Sequence, residues 1–249
     1  MKILKLLAVF GSFVLAPFAL AADVAEIDIW GFSRDGKTFA FEQFGVADGS
    51  GVAYSRVMII DLASDTLAAP VIENRTDPDG ASLLPLVRGQ SRDDAEDLGF
   101  LRFNFSFNLS MLAAWTPQRQ VETSDARRLS FVPQNLPRRS MANFTDSVLN
   151  LELVEETVAL PRCDQFEMGS SARIAKIELT RADMLRPIWQ YNDQPGEPPL
   201  SRGCPVAYQL AGIVVTDHAS VILIRYAQMG FEGTNDRYIA ISAGKLELS

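Results

Sequence analysis

The chain has 249 residues, of which 47% are hydrophobic and 22% charged, the balance of an ordinary folded protein rather than a disordered or collagen-like one. Its formal net charge is −8, and the first 21 residues hold two lysines and no acid, leaving 21 basic against 31 acidic side chains beyond them. That excess argues against nucleic acid or an anionic membrane surface as partner, and one histidine with two cysteines excludes a histidine-rich metal site, a four-ligand zinc ribbon and a multi-bridge disulfide scaffold.

Lys2 and Lys5 precede an apolar stretch from Leu6 to Leu20, broken by Gly11, Ser12 and Pro17. Ala19-Leu20-Ala21 then supplies small residues at the positions a signal peptidase reads. The pattern predicts a signal peptide over residues 1–21, cleaved near Ala21. A membrane-spanning helix needs about 20 uninterrupted apolar residues, and no later segment supplies them. Residues 22–249 are therefore expected as one β-rich domain of a secreted or periplasmic protein, with no membrane insertion after cleavage.

Ile27 to Phe32 is a short apolar run, followed by Asp35-Gly36, a strong hairpin signal. Thr38–Phe44 and Arg56–Leu62 read as the next strands, with the glycine loop 45–51 between them, and Thr66–Ile72 as a fourth. Residues 73–82 read as loop. A helix is expected to start at Ser91, a fitting N-cap with acids in the turn that follows. Phe103, Phe105, Phe107 and Leu109 alternate with polar residues, which predicts a half-buried strand over Arg102–Leu109.

Residues 115–140 are punctuated by Pro117, Pro133 and Pro137 and carry Arg127, Arg128, Arg138 and Arg139, read as a solvated or salt-bridged face. Leu149, Leu151 and Leu153 mark one strand, and Ala175, Ile177 and Leu179 another. Export makes a Cys163–Cys204 disulfide the default pairing of the two cysteines. Three strands close the chain, at Ala207–Val215, Val221–Gln228 and Arg237–Ser242, in the order seen over residues 27–62. The fold class is mainly β: a single domain of antiparallel blade-like meanders with one or two short helices. A β-sandwich and a small or incomplete propeller both remain open.

Four stretches carry a family resemblance: Ile29-Trp30-Gly31-Phe32-Ser33-Arg34-Asp35-Gly36-Lys37; Phe39 to Gly45 with Asp48-Gly49-Ser50-Gly51; Ser201-Arg202-Gly203-Cys204-Pro205; and Gly230-Phe231-Glu232-Gly233 with Asp236-Arg237. Together and in this order they resemble the predicted secreted proteins grouped as domain of unknown function 2259. The resemblance implies export and single-domain extent, and no chemistry.

The search for chemistry yields little. A serine triad would have to use His218, which lies in an expected turn, and no G-x-S-x-G is present. P-loop and dinucleotide fingerprints are absent. No cofactor is expected. Calcium is the one metal the loops would suit, through Asp48 and through Asp77 and Asp79, although aspartate is also a favoured turn residue, the preferred reading here. Glu42, Glu232, Asp28 and Asp61 are candidate carboxylates for a hydrolase acting on glycans, Glu42 and Glu232 standing in corresponding meanders. The loop holding Asp48 and Ser50, ending at Tyr54, and the loop holding Phe231 and Glu232, followed by Tyr238, combine glycines with aromatics as a binding surface would. The same glycines and aromatics also suit turns and core. Two functions follow: an exported non-catalytic binding or scaffold protein for an unidentified protein or saccharide, or an exported hydrolase using paired carboxylates.

Overall fold

The computed structural model describes residues 23–116, 126–132, 148–161, 163, 171–182, 184–193, 204–229 and 234–246. The predicted signal peptide lies outside the described residues. After a two-residue strand β1 (Asp23–Val24), strands β2 (Glu26–Ser33), β3 (Thr38–Val46) and β4 (Ala53–Asp61) form the antiparallel meander expected from residues 27–62. The Asp35-Gly36 turn is present, Gly36 N–H donating to the Ser33 carbonyl at 2.9 Å. The expected strand Thr66–Ile72 is instead two short ones, β5 (Thr66–Leu67) and β6 (Ile72–Arg75), both paired with β4. Pro70 stands between them and has no N–H to give a ladder.

Helix α1 (Leu84–Asp97) starts seven residues before Ser91, with Pro85 in its first turn, where a missing N–H costs nothing. Ser91 is not an N-cap. It is buried in mid-helix, its hydroxyl directed at the Ser55 carbonyl. The strand expected over Arg102–Leu109 is also corrected. Arg102–Asn104 is a 3₁₀ turn, only β7 (Phe105–Ser106) pairs, with β2, and Leu109–Met111 is a second 3₁₀ turn. The Asn108 side chain accepts from Ser110 N–H, a local bond that competes with a ladder.

The chain continues through β8 (Leu112–Trp115), β9 (Arg128–Phe131), β10 (Leu149–Ala159), β11 (Ser171–Arg181), β12 (Pro187–Asn192), β13 (Pro205–Val215), β14 (Ser220–Met229) and β15 (Thr234–Gly244). Among the described residues these strands form three sheets. A front sheet has the order β5-β4-β3-β2-β7, a middle sheet β1-β15-β14-β13-β8, and a back sheet β12-β11-β10-β9. The alternations at Leu149, Leu151 and Leu153 and at Ala175, Ile177 and Leu179 become β10 and β11 in one register, Leu151 opposite Leu179 and Leu153 opposite Ile177.

The period of two in the middle sheet builds two cores at once. Tyr208, Leu210, Ile222, Ile224, Tyr226 and Ile241 pack on the back sheet, whereas Ala211, Val214, Val221, Leu223 and Tyr238 pack on the front sheet. A strand buried on both faces has no reason to alternate, and Leu210–Val215 is accordingly apolar apart from Gly212. Gly212 marks a register shift in β13, and a Cβ there would meet the Trp115 ring at 2.5 Å. Among the described residues the outer face of the front sheet is covered by α1, and that of the back sheet carries two polar pairs, Lys176 with Glu156 and Gln190 with Glu178. Among the described residues the fold is thus mainly β, its largely antiparallel sheets packed on one another through two cores.

The Cys163–Cys204 disulfide is formed, with Cα atoms 5.8 Å apart, and lies buried among Leu160 and Ala172. It joins the end of β10 to the start of β13, and so the back sheet to the middle one.

One irregularity positions the site described next. The register of β2 against β3 shifts between Ile29 and Gly31, a bulge with Gly31 at φ +97°. Alternation from Asp28 puts Trp30 on the outer face under α1, and the bulge then returns Phe32 to the inner face beside Phe39 and Phe41. A Cβ at Gly31 would fall 2.0 Å from the Ser106 carbonyl oxygen. Gly31→Ala is therefore expected to lower stability by about 2 kcal/mol, combining left-handed backbone strain with the clash. Urea unfolding checks this, and an unchanged midpoint would contradict it.

Candidate functional site

The structure gathers its densest set of described charged side chains between α1 and the front sheet. Asp28 on β2 and Glu42 on β3 are direct cross-strand neighbours, both on the outer face. Helix α1 buries Val87, Ser91 and Ala95 against this face, a spacing of four that lines one side of a helix. Arg88 and Arg92 follow the same spacing one position on and reach down to the carboxylates. Asn74 on β6 anchors the helix from the other side, donating to Asp94 Oδ2 at 2.7 Å and Ser91 Oγ at 3.2 Å.

Glu42 is fully buried, and both its oxygens are engaged. Oε1 accepts from Arg88 Nε at 2.7 Å and Ser55 Oγ at 3.0 Å. Oε2 accepts from Arg88 Nη2 and Arg92 Nη2, each at 3.0 Å. The Arg88 fork is thus bidentate, the strongest form of this pair, and its guanidinium lies 3.5 Å above the Phe44 ring. Asp28 Oδ2 receives Arg92 Nη2 at 3.2 Å and Arg88 Nη2 at 3.4 Å, and Arg102 Nη2 stands 3.7 Å from Asp28 Oδ1.

Burial pushes the Glu42 carboxyl up, but the Arg88 hydrogen bonds and the charges of Arg88 and Arg92 outweigh it and leave Glu42 below its ordinary value. A carboxylate held in this way stays ionised and has no free lone pair facing a substrate, so it cannot serve as a general acid. The pH dependence follows from the sign. The folded value is below the unfolded one of about 4.3, so the contribution of Glu42 is complete above that value and is lost as pH falls through the folded value. The stability gap between wild type and Glu42→Gln should be constant above about pH 5.5 and shrink below about pH 4. Urea midpoints across that range measure it, and a gap that widens in acid would contradict the assignment.

The other sequence candidates do not join this cluster. Asp61 caps the turn after β4, accepting from Ala63 N–H, Ser64 N–H and Ser64 Oγ. His218 is exposed in the turn between β13 and β14. Arg127 and Arg128 pair with Glu155 and Glu152, the salt-bridged reading; Arg138 and Arg139 lie outside the described residues. So do Phe231 and Glu232. Asp48 and Ser50 are exposed in their loop, and that loop meets the one holding Asp77 and Asp79 through Asp79 N–H donating to the Ser50 carbonyl at 2.9 Å. Among the described residues no group of three or more His, Cys, Asp or Glu is arranged to hold a metal ion.

Tyr54 and Tyr238 are corrected as surface residues: both are core. Strand alternation turns them inward between the front and middle sheets, leaving them 3% and 1% exposed. The Tyr54 hydroxyl donates to Asp23 Oδ1 at 3.1 Å, and the Tyr238 ring stacks on Trp115. Burial pushes the Tyr238 phenol up to about 12.

The three arginines of the cluster escaped the sequence reading. Their one signal is the Arg88/Arg92 spacing of four, which carries meaning only once α1 is known to start at Leu84.

Among the described residues no helix is long and apolar enough to cross a membrane. No curated protein and no solved structure matches the chain. The family model described as predicted secreted protein (DUF2259) matches residues 40–244, a span that runs from Ala40 on β3 to the last residue of β15 and includes Glu42, Arg88, Arg92 and Arg102. The chain belongs to this family of predicted secreted proteins.

Proposed function

We propose that the protein is an exported, non-catalytic binding protein built as one layered β domain, released by cleavage of the leader near Ala21 into the periplasm or the medium. The observation that carries the non-catalytic reading is the state of Glu42: both oxygens are occupied by Arg88, Arg92 and Ser55. The cluster holds charge in place; it offers no proton to move. The binding reading rests on the same end of the molecule. The exposed loop of Asp48 and Ser50 meets the loop leading into α1, and Arg88 and Arg92 project from the next turns of that helix. The reading needs no cofactor, and the partner class is a protein or a saccharide.

Wild-type protein and Glu42→Gln, each first shown to be folded, are assayed against a panel of glycan substrates. The expected result is turnover by neither. Turnover by the wild type that Glu42→Gln abolishes would overturn the reading. Mass spectrometry of the exported product is expected to give a chain beginning at Ala22.

A further inference from the structure

The three arginines form a row along β2. Arg88 stands at the Glu26 end, over Phe44, the cross-strand partner of Glu26. Arg92 stands at Asp28, and Arg102 at Trp30, its guanidinium carbon 5.6 Å from the Trp30 ring centroid. The charges balance at the first end, where Glu42 takes the Arg88 fork and Glu26 adds a further acid.

At the Trp30 end, donors outnumber acceptors. Trp30 is fully buried, and its indole N–H has no partner among the described residues. The buried Nε–H of Arg92 likewise has none. Besides lying over the Trp30 ring, the Arg102 guanidinium faces Asp28 at 3.7 Å, beyond hydrogen-bond reach. Buried donors without acceptors are uncommon, and each one calls for an explanation. Arg92 and Arg102 meet at Asp28, Arg102 lies over the Trp30 ring, and the two side chains are 38% and 40% exposed, so this end of the cluster reaches solvent.

We infer that the Trp30 end of this cluster binds an oxyanion, a carboxylate or phosphate group, gripped by Arg92 and Arg102 with the Trp30 indole N–H as the inner donor. The chemistry is that of the acceptor the site lacks: planar guanidinium forks match the paired oxygens of either group. Asp28, 3.7 Å from Arg102, is too distant to fill that role, and the Arg102 side chain is 40% exposed. The inference rests on reading the protein as a binder and names what that site takes.

The test is a titration of ¹⁵N-labelled protein followed at the indole N–H resonances. Trp30 is assigned with Trp30→Phe or, should that variant not fold, by elimination with Trp115→Phe and Trp189→Phe. The probes are inorganic phosphate and acetate, against chloride at matched ionic strength. The Trp30 resonance is expected to move saturably with an oxyanion and not with chloride. A response to both probes assigns any oxyanion, and a response to one assigns its source. Arg102→Gln, which leaves the Glu42 pairs intact, is expected to weaken binding about tenfold, the loss of one charge-assisted contact. A resonance that stays still, moves equally with chloride, or titrates unchanged in Arg102→Gln would overturn the inference. That failure without glycan turnover leaves the non-catalytic reading standing, whereas Glu42-dependent turnover ends that reading whatever the titration gives.

Discussion

Replacing Cys163 and Cys204 together by serine is expected to lower the free energy of unfolding by about 4 kcal/mol. The bridge spans a sequence separation of 41, and closing a loop of about that size in the unfolded chain removes entropy worth about 4 kcal/mol in the chain-entropy model. The position of the bond adds to the argument. It ties the exit of β10 to the entry of β13, and so adds a covalent link between the back and middle sheets to their shared core and to the Tyr208 N–H bond with Glu155. For a chain of this size the loss corresponds to a drop in melting temperature of about 8–16 °C. Reductant should destabilise the wild type and leave the double serine variant unchanged. Equal denaturant midpoints for the wild type with and without reductant would contradict the prediction.

Glu42→Gln is expected to cost about 3 kcal/mol. Removing one partner of a buried ion pair leaves the other charge uncompensated, at a typical cost of about 3–5 kcal/mol. The lower end applies because the Arg88 side chain is 23% exposed and can recruit water. The cost should be coupled to Arg88. In a double-mutant cycle with Arg88→Met the two losses should fall short of additivity by about 1–3 kcal/mol, since each variant breaks the same bonds. Replacing both partners by methionine removes the stranded charge as well, so Glu42→Met with Arg88→Met should recover part of the loss. A cost below 1 kcal/mol for Glu42→Gln, or additive single losses, would mean that α1 is held mainly by the packing of Val87 and Ala95.

Much of the layered fold was legible in the sequence because strand periodicity is a local signal. Leu149, Leu151 and Leu153 alternate, and the structure places all three in one core. The closing run Val221–Ile224 lacks alternation because the middle sheet has two apolar faces, which a run of residues alone does not distinguish from other buried structure. The hidden features needed register or long-range contact. The bulge at Gly31 decides that Trp30 and Phe32 face opposite ways, and it follows from pairing with β3 and β7, more than from anything in residues 29–32. Tyr54 and Tyr238 follow glycine-rich loops in the sequence, yet alternation along β4 and β15 turns both inward.

The candidate site was half legible. Asp28 and Glu42 stood out as acids on strands, but what surrounds them was out of view. A helix expected to start at Ser91 leaves Arg88 outside it and sets Arg92 at its very beginning, whereas α1 starts at Leu84 and carries both on one side. Arg102 belonged to an expected strand that is a 3₁₀ turn. With the arginines missing, two neighbouring carboxylates suggest acid–base chemistry; with them in place, the same pair is a charge-balanced clamp.

The most direct test of that account is a carboxyl ¹³C titration of Glu42 by NMR. Ion pairing to Arg88 and Arg92 predicts a midpoint below the ordinary glutamate value of about 4.3, moving upward in Arg88→Met. A midpoint raised toward neutrality in the wild type would contradict it, because it would mark Glu42 as an acid able to donate its proton.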